Sequence, residues 1–296
     1  MSSAGVAFIR SWLRAPMTLS EVPAILSTAP LSDIYASHDA MVDCRYLASG
    51  GWKMGAVGLL PGVPCLSGPL FADFLVPENS SGTSPRVVDF GKDFLGTHIH
   101  TFEGEVGFRL SADVPPPVSG GQVSLDDCWS AVGSVMPCVE LCGSRVLPSV
   151  FSQPLVWTLQ HKLHDGLMSG GVLVGTSTPK EAFGRDGADA ARNLSRLSCT
   201  LKLDGKTLDA GDATACPCGG PLESLTWLAN HLHSRGRRLK SGDLVISGAV
   251  AKGSAKDVQG TKGSKVEVEF TGPLGKVGAA FVLHRTVPPD ELKSKL

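Results

Sequence analysis

The sequence has no long apolar run and no excess of charge of either sign, and each absence excludes a class of protein. No run of 18 apolar residues occurs, and the longest candidates, such as residues 244–251, have the length of a strand, which excludes a membrane-spanning helix. Lys and Arg number 27 against 28 Asp and Glu, for a net charge of −1. Such a balance gathers neither nucleic acid nor an anionic membrane, so we expect neither as a partner.

The sequence also lacks the paired cysteine spacing of a zinc site. Its eight cysteines are scattered, and Cys138 and Cys142 have no second pair at a spacing that would complete such a site. No secretory apolar segment precedes them, so we expect free thiols in a reducing compartment. We therefore expect a cytoplasmic protein. Residues 1–19 contain Arg10 and Arg14 and no acid, as is typical of a mitochondrial presequence, so a mitochondrial location is the alternative. An ordinary first helix is favoured, because apolar residues recur at helical spacing at Val6, Ile9, Trp12 and Leu13.

What is present indicates a sizeable globular chain. With 42% hydrophobic and 19% charged residues over 296 positions, it can bury a substantial core. Residues 1–50 are predicted to be a helical section, with one helix starting near Ser20 and another capped by Ser32 and Asp33 and running to Leu47. Residues 51–296 are predicted to form one β-rich domain. It includes a strand over 197–203, a hairpin turn at Asp204 and Gly205, and a helix over 222–235 that ends at Gly236. The predicted class is α+β.

A Glu-x-Glu pair lies on a predicted strand over residues 101–110. With a period of two, Phe102 and its alternate neighbours form an apolar face, and Glu103 and Glu105 point together from the other face. Close carboxylates repel each other unless a cation lies between them, so the pair is either solvated or holds a metal ion. A solvated strand face is the default interpretation of an isolated pair. Glu140, in a predicted buried strand over 135–141, adds a third acid.

Other candidate residues also have ordinary structural explanations. Lys53 stands in a short extended segment bracketed by glycines, where an exposed edge-strand lysine is the default. Asp73, alone in an apolar run, fits a helix or turn cap. The histidine pairs 98/100 and 161/164 have no further nitrogen ligand nearby, so structural roles are expected for them. Residues 78–86 form a predicted surface loop, with a lid over the site as the alternative.

Seven segments, in order along the chain, resemble a known family. They are residues 51–55 (GWKMG), 68–73 (GPLFAD), 103–108 (EGEVGF), 139–145 (VELCGSR), 165–175, 219–232 and 240–248. Each motif is weak alone, but together they resemble the hydratase and decarboxylase branch of the fumarylacetoacetate-hydrolase superfamily. The helix motif at 225–232, followed by the Gly-Asp-x-Val-x-Ser-Gly type of segment ending at Gly248, is the most specific part.

The resemblance implies a fold, a metal site and a reaction. It implies a mixed β-sheet roll of the fumarylacetoacetate-hydrolase C-terminal-domain type in a homo-oligomer. It implies one Mg²⁺ or Mn²⁺ held by Glu103, Glu105 and Glu140. Lys53 and Asp73 would take part in proton transfer, the pKa of Lys53 being lowered by burial near the metal. Substrate contacts are expected from Asp165, Ser169 and Ser247.

The implied reaction is metal-dependent addition of water to a 2-hydroxy-2,4-dienoate, which gives a 4-hydroxy-2-oxo acid. The substrate class is thus a small anionic 2-oxo acid. Three alternatives remain open: decarboxylation of a vinylogous 2-oxo acid, carbon–carbon hydrolysis of an acylpyruvate, and a non-catalytic partner subunit.

The chain departs from the family pattern at three places. Val57 and Gly58 replace the usual Thr-Ser, and Gly143 replaces an Asp. Residues 166–168 (Gly-Leu-Met) replace Asn-Ala-Ser, which removes an amide and a hydroxyl from the expected pocket. The metal ligands are intact, whereas the polar surroundings are thinned. These departures favour a bulkier or more apolar 2-oxo acid, or else a chain with weak or no activity.

Overall fold

Two long antiparallel strands, β5 (His98–Leu110) and β6 (Val132–Ser144), form the centre of the fold. The computed structural model describes residues 29–44, 48–55, 62–63, 65–77, 86–89, 98–118, 120–144, 159–254 and 264–282. The other described strands are β1 (Ser49–Gly55), β2 (Leu66–Phe71), β3 (Leu75–Pro77), β4 (Arg86–Asp89), β7 (Ser169–Val174), β8 (Thr178–Pro179), β9 (Ser198–Leu203), β10 (Lys206–Asp212), β11 (Leu244–Ile246), β12 (Ala251–Ser254), β13 (Ser264–Phe270) and β14 (Lys276–Val282). The α-helices are α1 (Leu31–Val42), α2 (Leu125–Ala131), α3 (Leu159–His164), α4 (Gly187–Leu194) and α5 (Pro221–His233).

The strands form two mixed sheets. The larger has the order β2-β1-β11-β5-β6-β7-β3, with β12 also paired to β5 and β8 to β6. The smaller has the order β10-β9-β13-β14-β4. β1 runs parallel to β11, β3 to β7 and β4 to β14, and the remaining pairs are antiparallel. The mixed sheets together with the helices confirm the predicted α+β class.

The apolar face of β5 packs against the smaller sheet, as its alternation predicts. Phe102, Val106 and Phe108 are fully buried in the main core together with Val268 of β13. Gly104 allows this close approach, because a Cβ there would lie 2.7 Å from Cys199 Sγ. The opposite face of β5, which carries both glutamates, is therefore turned toward the other side of the larger sheet.

The helices mostly begin and end where local sequence signals place them. Helix α2 has a capping box between Ser124 and Asp127, and α5 starts at Pro221 and ends just before Gly236, whose φ is 74°. The predicted hairpin turn is also confirmed, with positive φ at Asp204 and Gly205.

Helix α1 differs from its prediction at both ends. It begins at Leu31 after Pro30 rather than at a Ser-Asp cap, and it ends at Val42 instead of continuing to Leu47. Asp39 of α1 accepts from Arg235, at 3.0 Å, and from Arg237, at 2.8 Å, beyond the end of α5. The predicted helices before residue 29, Val57 and Gly58, and residues 78–85 of the predicted loop lie outside the described residues. The division of the chain at residue 50 stays a prediction.

None of the helices in the described part of the chain has both the length and the apolar character needed to cross a membrane.

We predict that Gly51→Ala destabilises the fold much more than Gly55→Ala in the same strand. Gly51 has a φ of 135°, and a Cβ there would lie 1.8 Å from the carbonyl oxygen of Leu244, its neighbour in β11. The change should lower the free energy of unfolding by more than about 3 kcal/mol. At Gly55 the nearest atom to a new Cβ is 3.6 Å away, so the loss should stay within about 1 kcal/mol. Urea unfolding of both variants measures the difference, and equal losses would contradict this account of β1–β11 pairing.

Candidate active site

Three carboxylates lie on one face at the centre of the larger sheet. Glu103 and Glu105 are on β5, and Glu140 is the direct partner of Glu103 on β6. Direct partners in a sheet share a face, so the three side chains converge. Glu105 and Glu140 are fully buried, and Glu103 is half-buried. The interpretation of the Glu-x-Glu pair as a solvated strand face is therefore wrong.

On the side of β5 that faces β11 and β12, the hydrogen-bond ladder is interrupted at Glu105. β11 pairs with residues 107–109 and β12 with residues 101–104, and the connection between these two short strands passes beside Glu105. There the Gly248 N–H donates to Glu105 Oε2 at 2.7 Å. One oxygen of the buried carboxylate is thereby held in place by the backbone.

Two carboxylate oxygens at the centre are left without a hydrogen-bond donor. Among the residues that the structure describes, Glu105 Oε1 and Glu140 Oε2 are buried and have no partner. Burial, followed by the nearby charges of Glu140 and Glu103, raises the pKa of Glu105 well above its ordinary value. Burial also raises the pKa of Glu140, although Lys53 acts in the opposite direction. Buried, unpaired carboxylates are costly, so this arrangement requires a proton or a cation.

Lys53 provides one buried positive charge. It is 3% exposed, and its Nζ donates to Glu140 Oε1 and, at 3.0 Å, to the carbonyl oxygen of Leu167. Strand β1 lies between β2 and β11, so the alternative of an exposed edge-strand lysine is wrong. Burial alone would lower the pKa of Lys53, but Glu140 and the other acids outweigh it and raise the pKa above its usual range. The lowered pKa expected for Lys53 beside a bound metal stays a prediction, because the raised pKa describes the metal-free cluster.

The donor set fits a hard divalent cation. Three ionised carboxylates and one ammonium carry a formal charge of about −2, which a divalent cation would cancel. Carboxylate oxygens are the ligands that Mg²⁺ and Mn²⁺ prefer, and two unpartnered oxygens point into the cluster. Glu103, Glu140 and also Cys142 have donor atoms that all lie within 4.8 Å of one another.

A left-handed turn, Gly166–Met168, supports Lys53 from the other side. Its three residues have φ values of 61°, 58° and 60°, a conformation that leucine and methionine rarely adopt. The turn lies against β2, where a Cβ on Gly68 would be 2.4 Å from the Gly166 carbonyl oxygen. Gly68 thus permits the approach that brings the Leu167 carbonyl oxygen to Lys53.

The residues predicted to contact substrate lie around this cluster. Asp165 is buried directly before the left-handed turn, and Ser169 is buried at the start of β7, paired with Cys142. Ser247 is also buried, and its hydroxyl accepts from the Val106 N–H at 3.3 Å. Ser247 directly precedes Gly248, so its hydrogen bond to Val106 also helps to position the Gly248 N–H that donates to Glu105.

Asp73 is not brought to the cluster. It lies exposed in a short 3₁₀ turn after β2, whereas Lys53 pairs with Gly68 near the middle of that hairpin. Ser49, four residues before Lys53, pairs with Phe71, so about 13 Å of strand separates Lys53 from the level of Phe71. Its predicted catalytic role stays a prediction without support from this geometry. As for the histidines, His100 Nε2 lies 3.1 Å from Ser144 Oγ, and the side chain of His161 lies outside the described residues.

Two parts of the site were missed in the sequence. Cys142 lies two residues after Glu140, and the period of two that united Glu103 with Glu105 could have identified it. The second missed part is the Gly248 N–H, which donates to Glu105 from a distant segment of the chain. The only indication of it in the sequence was that Gly248 ends the motif over residues 240–248.

Comparison with known proteins supports a relationship over part of the chain. No family model matches. A TodF product hydratase of Pseudomonas putida strain F1 is 32% identical over 181 residues, which cover 60% of this chain and 58% of that protein. The chain thus matches little more than half the length of that relative.

Solved structures resemble the whole fold. The 4-oxalocrotonate decarboxylase from Pseudomonas putida G7, complexed with magnesium and adipate, has a TM-score of 0.69 at 20% identity, covering 94% of this chain and 97% of that one. The fumarylpyruvate hydrolase from Pseudomonas aeruginosa, in complex with Mn²⁺ and pyruvate, has a TM-score of 0.53 at 16% identity, covering 80% and 91%. At these identities the likeness is one of fold, and it confirms the predicted α+β roll. The hydratase relative confirms the resemblance to the hydratase branch over the matched stretch of the chain.

We predict that Glu105→Gln stabilises the metal-free protein at alkaline pH. Because the pKa of Glu105 is raised on folding, its stabilising contribution is present below its ordinary value of 4.5 and is lost as pH rises through the folded-state value. Glutamine removes this loss and can still accept from Gly248. In the presence of chelator, thermal unfolding should give the variant a higher Tm than the unchanged protein at about pH 8, with the difference disappearing near about pH 4.5. Exposed Glu181→Gln serves as the control, and a Tm difference independent of pH would contradict the prediction.

Proposed function

We propose that this chain is a metal-dependent hydro-lyase that adds water to a 2-hydroxy-2,4-dienoate to give a 4-hydroxy-2-oxo acid. The observation that carries the proposal is the buried carboxylate cluster with two unpartnered oxygens beside a buried lysine. The hydratase name of the relative described above agrees with this activity. The proposal extends to the whole protein, of which the matched stretch is a part.

We propose Glu103, Glu105 and Glu140 as the ligands of Mg²⁺ or Mn²⁺. When bound, such an ion would supply Lewis-acid stabilisation for the negative charge that grows on the substrate's 2-oxo oxygen. The Gly248 N–H fixes one oxygen of Glu105, so that the other points into the cluster. This fixed orientation means that little rearrangement is needed on binding.

The role proposed for Lys53 is electrostatic and acidic. Its ammonium group compensates the carboxylates and attracts an anionic substrate. Its Nζ is held in a buried site by Glu140 and the Leu167 carbonyl oxygen. Its pKa would fall when a cation shares the charge of Glu140, and it could then deliver a proton to the carbon chain as the dienol becomes a ketone. Asp165 and Ser169, both buried near the same strands, are proposed to orient the substrate.

The replacement of the polar family residues by Gly166–Met168 supports a substrate with a bulkier or more apolar tail. We propose decarboxylation of a vinylogous 2-oxo acid as the second candidate, because the decarboxylase fold matches 94% of this chain. Both reactions use the same charge stabilisation at the 2-oxo oxygen and differ in whether water is gained or carbon dioxide is lost. We also propose a homo-oligomer located in the cytoplasm, the location being supported by the eight free cysteines.

We predict that the purified protein with Mg²⁺ or Mn²⁺ bleaches the ultraviolet absorbance of 2-hydroxydienoates, and that Glu105→Gln lowers the rate at least ~10²-fold. Chelator should stop the reaction and added metal should restore it. Exposed Glu181→Gln should retain the full rate.

The substrate panel should combine dienoates with tails of increasing length, oxalocrotonate-like acids and acylpyruvates. Mass spectrometry then distinguishes water gained from carbon dioxide lost. Absence of turnover across the panel with Mn²⁺ present would disprove the enzymatic proposal.

A further inference from the structure

Cys142 places a sulfur atom beside the carboxylate cluster. It lies on β6 two residues after Glu140 and therefore on the same face of the sheet. Its side chain is only 8% exposed, and its Sγ lies within 4.8 Å of a carboxylate oxygen of Glu103 and of one from Glu140. Ser169 of β7 is its neighbour in the ladder.

Two overlapping sets of donors can be compared at this cluster. The first is the all-oxygen set proposed above, from Glu103, Glu105 and Glu140, although Glu105 is not among the donors that all lie within 4.8 Å of one another. The second replaces Glu105, one of whose oxygens is bound to the Gly248 N–H, by the sulfur of Cys142. With bonds of about 2.0–2.3 Å to oxygen and sulfur, two ligands of a tetrahedral ion lie ~3.5 Å apart. The donor atoms of the second set all lie within 4.8 Å of one another, so side-chain rotations that bring them up to ~1.3 Å closer complete it.

Glu140 belongs to both sets and has an oxygen that needs a partner. Its Oε1 accepts from Lys53, whereas Oε2 is fully buried and has no partner among the described residues. The oxygen that could bind an ion is thus present independently of the cysteine. The sulfur decides which ion is favoured, because thiolates select softer metals than carboxylates do.

We propose that Cys142 gives this site a second, thiophilic binding mode, in which Glu103, Glu140 and the Cys142 thiolate hold Zn²⁺, Cd²⁺ or Co²⁺. The inference rests on the proposed metal site and adds a ligand to it. Binding forms a metal–sulfur bond and releases the thiol proton to solvent. Ions such as Zn²⁺ then compete with Mg²⁺, which remains bound by oxygens alone.

Cobalt provides a direct spectroscopic test, since a cobalt–thiolate bond gives a sulfur-to-metal charge-transfer band in the near ultraviolet. The metal-free 296-residue chain is titrated with Co²⁺, and exposed Cys218 is replaced by serine in every sample so that it adds no band. The band should appear at one equivalent, and Cys142→Ser should abolish it. Zn²⁺ affinity should fall at least ~10-fold in the same variant, and Mg²⁺ affinity less than ~3-fold.

Cys138→Ser is the matched control. Cys138 is also buried on the same face of β6, but a Cβ on Gly107 would lie 2.6 Å from its sulfur, which therefore points toward Gly107. This variant should keep the cobalt band. A band that survives Cys142→Ser, or one that Cys138→Ser removes equally, overturns the inference.

Binding of Mn²⁺, measured by electron paramagnetic resonance, separates the two proposals. If Cys142→Ser still binds Mn²⁺, that variant is folded and its oxygen ligands are intact. Loss of Mn²⁺ binding in Glu140→Gln shows that the bound ion uses this site. If Mn²⁺ binds but cobalt gives no sulfur band, the Cys142 inference fails and the proposed function stands. If Mn²⁺ does not bind the unchanged protein, both fail.

Discussion

The burial of negative charge at the centre of the larger sheet is the constraint on which the rest of the structure depends. Glu105 and Glu140 are fully enclosed, and among the described residues around them only Lys53 brings a buried positive charge. An unpaired buried carboxylate costs several kcal/mol, more than a surface ion pair returns. The Lys53 ammonium group and the Gly248 N–H donate to these carboxylates. The cluster destabilises the metal-free protein but is well suited to bind a cation.

The backbone around the site is arranged to hold Lys53 and Glu105. The connection between β11 and β12 turns the Gly248 N–H toward Glu105, and the left-handed turn turns the Leu167 carbonyl oxygen toward Lys53. The side chain of Leu167 packs with Ile34 and Tyr35 of α1. Helix α1 is in turn bound through Asp39 to the residues that follow α5. A continuous set of contacts thus runs from the residues that follow α5, through α1 and Leu167, to the lysine.

Local features of the fold could be predicted from the sequence, whereas features set by distant neighbours could not. Alternation over 101–110 gave the buried face of β5, and the glycine signal at Gly236 gave the end of α5 to within a few residues, because these depend on nearby residues. The local segment alone favoured an exposed edge residue at position 53, because it does not reveal that β2 and β11 flank it. The left-handed turn was invisible for a similar reason, since Leu167 and Met168 have no local preference for positive φ.

The same strand periodicity explains why a cysteine can influence a carboxylate site without contacting solvent. On β6, positions 138, 140 and 142 necessarily share a face, so a residue two places from a carboxylate is always its neighbour. Glu105 is held by a hydrogen bond from the Gly248 N–H, whereas Cys142 is not needed for the carboxylates to bind an ion in the proposed all-oxygen site. In the proposed second mode, the sulfur of Cys142 takes the place of a Glu105 oxygen and makes the donor set softer. In the proposed assignment, ion retention rests on the three acids of β5 and β6, whereas ion preference depends on Cys142 of β6.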